Sequence, residues 1–162
     1  MREIERKFLV KELPNLNNIE PIRYERYFLD DSEDKQVRIQ KKSNKFELET
    51  KTKINDTEYE KTKKDITENE FLELSQNCNK SIIRDSYLIS DKPNITIKKY
   101  YNDYDGLIRA EIEYSNIEEI GVFILPDWIG IEITGTELGN DNKLIKLNRA
   151  EFLEALKKYK GD

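Results

Sequence analysis

Apolar and polar residues alternate with a period of two over much of this chain. That period belongs to β-strands, in which residues i, i+2 and i+4 share a face. At the start, Glu3, Glu5 and Lys7 would stand in a row on one side, with Ile4, Phe8 and Val10 on the other. Further strands are predicted over 22–29, 36–42, 45–53, 57–61, 81–89, 94–101 and 107–114, with a last extended stretch at 126–134. Between them lie a connector at 11–21 carrying Pro14 and Pro21, a polar turn at 30–34, and turns at Ser43-Asn44, Asn55-Asp56 and Asp103-Tyr-Asp-Gly106. Capping boxes at Thr67-x-x-Glu70 and Asn148-x-x-Glu151 start two helices, and Ser115-x-x-Glu118 opens a short one over 115–121. Phe152, Leu153, Leu156 and Tyr159 give the last helix an apolar side.

The polar faces carry the chemistry. Two carboxylates side by side on one strand face can hold a hard ion such as Mg²⁺ or Mn²⁺, and a lysine one step further can meet a phosphate. The device recurs: Glu58 and Glu60 flank Tyr59, and Arg109, Glu111 and Glu113 share a face opposite Ile108, Ala110, Ile112 and Tyr114. Between them, Arg38, Gln40 and Lys42 alternate with Val37 and Ile39. Strands with one solvated face also carry Glu and Lys, but three such acidic rows set against apolar or aromatic positions favour a shared interior.

Composition supports that interior. Charged residues make up 38% of the 162 residues and hydrophobic ones 36%, which is apolar-poor for a two-layer globule. Nine Tyr, six Phe and one Trp argue against disorder. A barrel whose lumen is charged reconciles the two. No linker or internal repeat divides the chain, so residues 1–162 read as one domain. A net charge of −5 predicts no broad nucleic-acid surface. No apolar run approaches a membrane span and no signal pattern opens the sequence, so no membrane partner is expected. The single Cys78 allows no internal disulfide and fits a cytoplasmic setting. The absence of histidine excludes Ser-His-Asp triads and His-ligated zinc.

The opening Glu3-Ile-Glu-Arg-Lys-Phe-Leu-Val10, the Arg109-x-Glu111-x-Glu113 row and Trp128-x-Gly-x-Glu-Ile-Thr134 resemble the CYTH family, also called triphosphate tunnel metalloenzymes. The resemblance implies an α+β fold: a closed antiparallel β-barrel of about eight strands forming a tunnel, with helices packed outside. It implies hydrolysis of a linear triphosphate with Mg²⁺ or Mn²⁺, by a monomer or homodimer. Glu3, Glu5, Glu111 and Glu113 would hold the metal, with Glu58, Glu60 and Glu132 as further ligands. Lys7, Arg23, Arg38, Lys51, Arg84, Lys98 and Arg109 would grip phosphate, and Glu111, Glu113 and Lys7 would serve catalysis. Three positions depart from the family pattern: Gln40 and Ser86 replace basic residues, and Lys98 stands where relatives carry an acid.

The expected reaction is metal-dependent release of orthophosphate. Inorganic tripolyphosphate is the first choice of substrate, because no base pocket is readable; nucleoside and thiamine triphosphates stay open. Two alternatives remain at this point: a class IV-like adenylate cyclase, and a binder of triphosphate or polyphosphate without turnover.

Overall fold

The computed structural model describes residues 1–161. Nine strands form one sheet: β1 (Arg2–Val10), β2 (Ile22–Asp31), β3 (Lys35–Lys42), β4 (Lys45–Lys53), β5 (Glu58–Asp65), β6 (Ile82–Asp91), β7 (Asn94–Tyr100), β8 (Ile108–Tyr114) and β9 (Ile129–Glu132). Their order is β5-β4-β3-β2-β6-β7-β8-β1-β9, and a further pairing of β5 with β1 closes the first eight into a ring. All the ladders are antiparallel. The closing seam is short, joining Arg2, Glu3 and Ile4 to Glu60, Tyr59 and Glu58. β9 pairs with Phe8 and Val10 at the other end of β1 and lies outside the ring. Closure removes the free edges that an open sheet of this size would expose.

The barrel is apolar outside and charged inside. Helix α1 (Glu68–Ser75) is started by the expected capping box, in which Thr67 accepts from Glu70 N and Glu70 accepts from Thr67 N. Its Phe71 packs on Tyr27 and Phe46 from the outer faces of β2 and β4. Helix α2 (Glu118–Val122) begins three residues later than the sequence suggests; Asn116 Oδ1, rather than Ser115, accepts from Glu119 N. With Phe123, Leu125 and Trp128 it covers Ile4, Phe8, Ile95, Ala110 and Ile112. Helix α4 (Arg149–Lys160) has its predicted Asn148 cap and buries Phe152, Ala155 and Leu156 against Tyr104, Leu107 and Ile133.

Helix α3 (Asp141–Leu144) has no counterpart in the strand periodicity. It brings three consecutive polar side chains across one end of the barrel. Asn140 touches Lys7 on β1 and Tyr59 on β5. Asp141 touches Arg26, Arg84, Tyr100 and Arg109 on β2, β6, β7 and β8. Asn142 donates to Ser32 O, in the β2–β3 turn. Six of the eight ring strands thus hold this segment as a plug, and the opposite end is the mouth. No helix among the described residues is long and apolar enough to cross a membrane.

Candidate active site

Inside the ring lies a cavity of about 360 Å³. Strand alternation decides what lines it: Glu3, Glu5 and Lys7 from β1, Tyr24 and Arg26 from β2, Arg38 and Gln40 from β3, Glu49 and Lys51 from β4. Lys61 and Lys63 come from β5, Arg84 and Ser86 from β6, Thr96 and Lys98 from β7, and Arg109, Glu111 and Glu113 from β8. Most of these charges are buried, which is tolerable only because they are paired or face solvent within the lumen.

One wall is acidic. In the β1–β8 ladder Glu5 is opposite Glu113 and Lys7 is opposite Glu111. Burial and the like charges of Glu3 and Glu5 push the Glu113 carboxyl above its ordinary range. Lys51 reaches in from β4, its Nζ 2.8 Å from both Glu3 Oε1 and Glu5 Oε1. It donates a well-directed hydrogen bond to Glu5 and forms an ion pair with Glu3. Burial would raise the Glu5 carboxyl, but Lys51 and Lys7 outweigh it and hold it far below the carboxylate range. The carboxylates of Glu3, Glu5 and Glu113 are hard oxygen donors gathered at one place, and among the described residues Glu113 has no cation paired with it. That environment fits a divalent cation. As the side chains stand, no three acids among the described residues are drawn into a finished coordination shell.

The opposite wall is basic. Arg38 Nε donates to Glu49 Oε1 at 2.8 Å, and Arg26 forks onto Gln40 Oε1 at 3.0 and 2.7 Å. Arg84, Arg26 and Arg109 converge on Asp141 at 3.0, 2.7 and 3.1 Å. Arg109 also pairs with Glu111 at 2.6 Å. Among the described residues Lys98 meets no carboxylate within salt-bridge distance; its Nζ donates to Ser86 Oγ at 2.8 Å. Burial, helped by Arg84, Arg26 and Arg109 and opposed by Glu111, lowers Lys98 to about 7. Lys7 falls to about 8, mainly through burial. Tyr24 lies among these cations, with Arg84 at 5.2 Å and Lys98 at 5.5 Å from its ring centre.

The ring therefore gathers Glu3, Glu5, Lys7, Arg38, Lys51, Arg84, Lys98, Arg109, Glu111 and Glu113 at one lumen. Four sequence candidates stand elsewhere. Arg23 is on the outer face of β2, paired with Asp85 at 2.7 Å. Glu60 binds the N-terminal ammonium outside, and Glu58 lies by Asn55 and Arg2. On β5 the lumenal side chains are instead Lys61 and Lys63, because its phase is shifted by one residue from the expected one. Glu132 sits on β9, outside the ring, and forms an ion pair with Arg6 at 2.6 Å.

The sequence reading missed Arg26, Glu49, Lys61, Asn140 and Asp141. Tyr24-x-Arg26 and Glu47-x-Glu49-x-Lys51 show the right alternation for the first two. Nothing periodic marks Asp141, which is placed by the fold alone.

No family model matches the sequence. An inorganic triphosphatase of Acetivibrio thermocellus is 30% identical over 158 residues, spanning 94% of this chain and 99% of that protein. The chain belongs to the CYTH, or triphosphate tunnel metalloenzyme, family. Solved structures show the same CYTH fold. The inorganic triphosphatase NE1496 superposes with a TM-score of 0.65 at 19% identity, covering 88% of this chain and 93% of that one. An adenylyl cyclase candidate from Hippeastrum, HpAC1, whose structure is described as revealing a dominant triphosphatase activity, gives 0.53 at 15% identity, covering 74% and 83%.

Proposed function

We propose that this CYTH protein hydrolyses a linear triphosphate, with inorganic tripolyphosphate as its substrate and orthophosphate as a product. The observation that carries the reading is the division of one enclosed lumen into an acidic wall and a basic wall. A triphosphate bears about four negative charges near neutral pH, which need dense, preorganised positive charge. Arg38, Arg84 and Lys98 provide it away from the β1–β8 ladder, with Arg109 and Lys7 on that ladder beside the acids. Glu3, Glu5 and Glu113 would hold a divalent cation, Mg²⁺ or Mn²⁺, which when bound neutralises phosphate charge and makes the phosphorus more open to attack by water. Glu113, which faces the lumen opposite Glu5, can orient that water. Lys7 and Lys98 would grip phosphate oxygens as point charges. The relative from Acetivibrio thermocellus supports the reaction class by its name.

Phosphate release from tripolyphosphate, ATP and thiamine triphosphate, with and without Mg²⁺ or Mn²⁺, tests this directly. Metal-dependent orthophosphate from tripolyphosphate is expected; folded protein releasing none from any substrate would overturn it. Cyclic AMP and pyrophosphate from ATP would favour a cyclase instead. Binding without turnover is a second reading, favoured by Lys51, which already occupies the gap between Glu3 and Glu5. Calorimetric affinity for tripolyphosphate with no product formed would select it.

A further inference from the structure

The inward residues of β2, β6 and β7 include Arg26, Arg84 and Lys98 but no carboxylate. Arg109 on β8 adds another guanidinium beside them, since Lys98 and Arg109 are directly paired across the β7–β8 ladder. Four buried cations with this little room repel one another, and low dielectric makes the repulsion strong. Glu111 answers part of it, through Arg109 at 2.6 Å and Arg84 at 3.6 Å. The rest is answered from outside the sheet. Asp141, with 1% of its side chain exposed, accepts from Arg26 Nη1, Arg84 Nη1 and Arg109 Nη2, and from the phenol of Tyr100 at 2.7 Å.

Each of these bonds uses one edge of a guanidinium. Arg84 Nη1 also contacts the Tyr100 oxygen at 3.0 Å, so the phenol and the carboxylate fix the same guanidinium edge. Arg84 Nε is left as a buried donor with no partner. The other edge of Arg26 lies on Gln40, and Arg109 spends its remaining nitrogens on Glu111 and Leu138 O, so among the three it is Arg84 whose second edge stays open; clamped on one side, it presents that edge in a fixed direction, and less rotamer freedom is lost when an anion arrives.

We propose that Asp141 is a positioning residue that locks Arg26, Arg84 and Arg109 into one array at the plugged end of the lumen, so that the open edge of Arg84 meets phosphate oxygens already aligned. The carboxylate does not touch the reacting atoms; it acts through the arginines. The inference rests on the triphosphatase reading for its kinetic consequence, but the arginine array itself is open to a separate measurement.

The experiment compares wild type with Asp141→Asn, Asp141→Glu and Tyr100→Phe. Two readouts are taken: steady-state hydrolysis of tripolyphosphate, and the arginine Nε–H signals in ¹H–¹⁵N NMR spectra. Asp141→Asn is expected to lower kcat/KM by about tenfold or more, mostly in kcat, and to broaden the Arg84 and Arg109 signals. Asp141→Glu keeps the charge and is expected to retain both within about threefold of wild type. Folded Asp141→Asn with unchanged signals and rates would overturn the proposal, as would equal losses in Asn and Glu variants with the arginine signals intact. Should Asp141→Asn fail to fold, Tyr100→Phe decides. It removes two hydrogen bonds to the same array without changing charge, and unaltered signals and kcat there would also overturn the proposal. A wild type that releases no phosphate would defeat the triphosphatase reading, while the arginine signals would still judge the array.

Discussion

Glu5 and Glu113 stand directly opposite each other in the β1–β8 ladder, both on the lumenal face. Like charges at such positions are destabilising unless a cation joins them. Replacing either by glutamine removes one hard oxygen charge. Glu113→Gln and Glu3→Gln are each expected to reduce metal-dependent turnover by about a hundredfold or more; Glu113→Gln leaves the thermal midpoint close to wild type, whereas Glu3→Gln lowers it because it also breaks the buried pair with Lys51. Phosphate release at saturating Mg²⁺ and Mn²⁺, beside a melting curve, checks this. Activity near wild type would remove these groups from the metal role.

Lys51 holds Glu3 and Glu5 together, and burial leaves little solvent to take over. Burial alone would lower the Lys51 ammonium, yet Glu5 and Glu3 raise it above its ordinary range. Lys51→Met should therefore destabilise the fold by about 3 kcal/mol in the absence of metal. Urea denaturation with chelator should show the loss, and added Mg²⁺ should recover part of it. A midpoint equal to wild type under chelator would show that the ammonium does not serve as the internal counter-charge.

Arg38 presents to the lumen a guanidinium aligned by Glu49 at 2.8 Å. If it meets substrate in the ground state, Arg38→Ala raises KM about tenfold with a smaller change in kcat. An unchanged kcat/KM would take Arg38 out of the site.

Lys98 lies at about 7 in the folded protein, chiefly because of burial, against about 10.4 for an unfolded lysine. Between these values the unfolded chain binds the extra proton, so stability contributed by this group rises with pH from about 7 to about 10.4 and is lost as pH falls through about 7. Relative to Lys98→Met, wild type should gain stability across that window. Paired denaturation curves from pH 6 to pH 10 measure it; parallel curves would contradict the burial argument.

Arg23, Glu60 and Glu132 provide controls. All three form ion pairs outside the ring. Arg23→Ala, Glu60→Gln and Glu132→Gln are each expected to keep kcat/KM within about twofold and to leave the thermal midpoint close to wild type, because exposed pairs are screened by solvent. A large kinetic loss in any one of them would mean that the outer pairs reach the lumen through the wall.

These outer residues also show what the sequence could and could not convey. β1 and β8 were legible because each keeps acids on one face and Ile, Phe, Ala or Tyr on the other. The phase of such a strand has only one sensible solution. β5 is polar on both faces, Glu-Tyr-Glu-Lys-Thr-Lys-Lys-Asp, so hydrophobicity does not choose between its two phases; contact with β1 and β4 does. β2 misleads for a related reason: apolar Ile22 lines the lumen while Arg23 turns outward to Asp85. Glu132 follows the right spacing, but β9 is added beyond the closing seam, where neither face meets the cavity. Asp141 belongs to a four-residue helix whose place is set by the ring it plugs. No local period could reveal a residue defined by partners 32 to 115 positions away.

The plug formed by Asn140, Asp141 and Asn142 has a kinetic corollary. With one end shut, entry and exit share a doorway. Whatever is bound and whatever is released pass the same opening, in opposite directions. A product still inside therefore stands in the way of the next arrival.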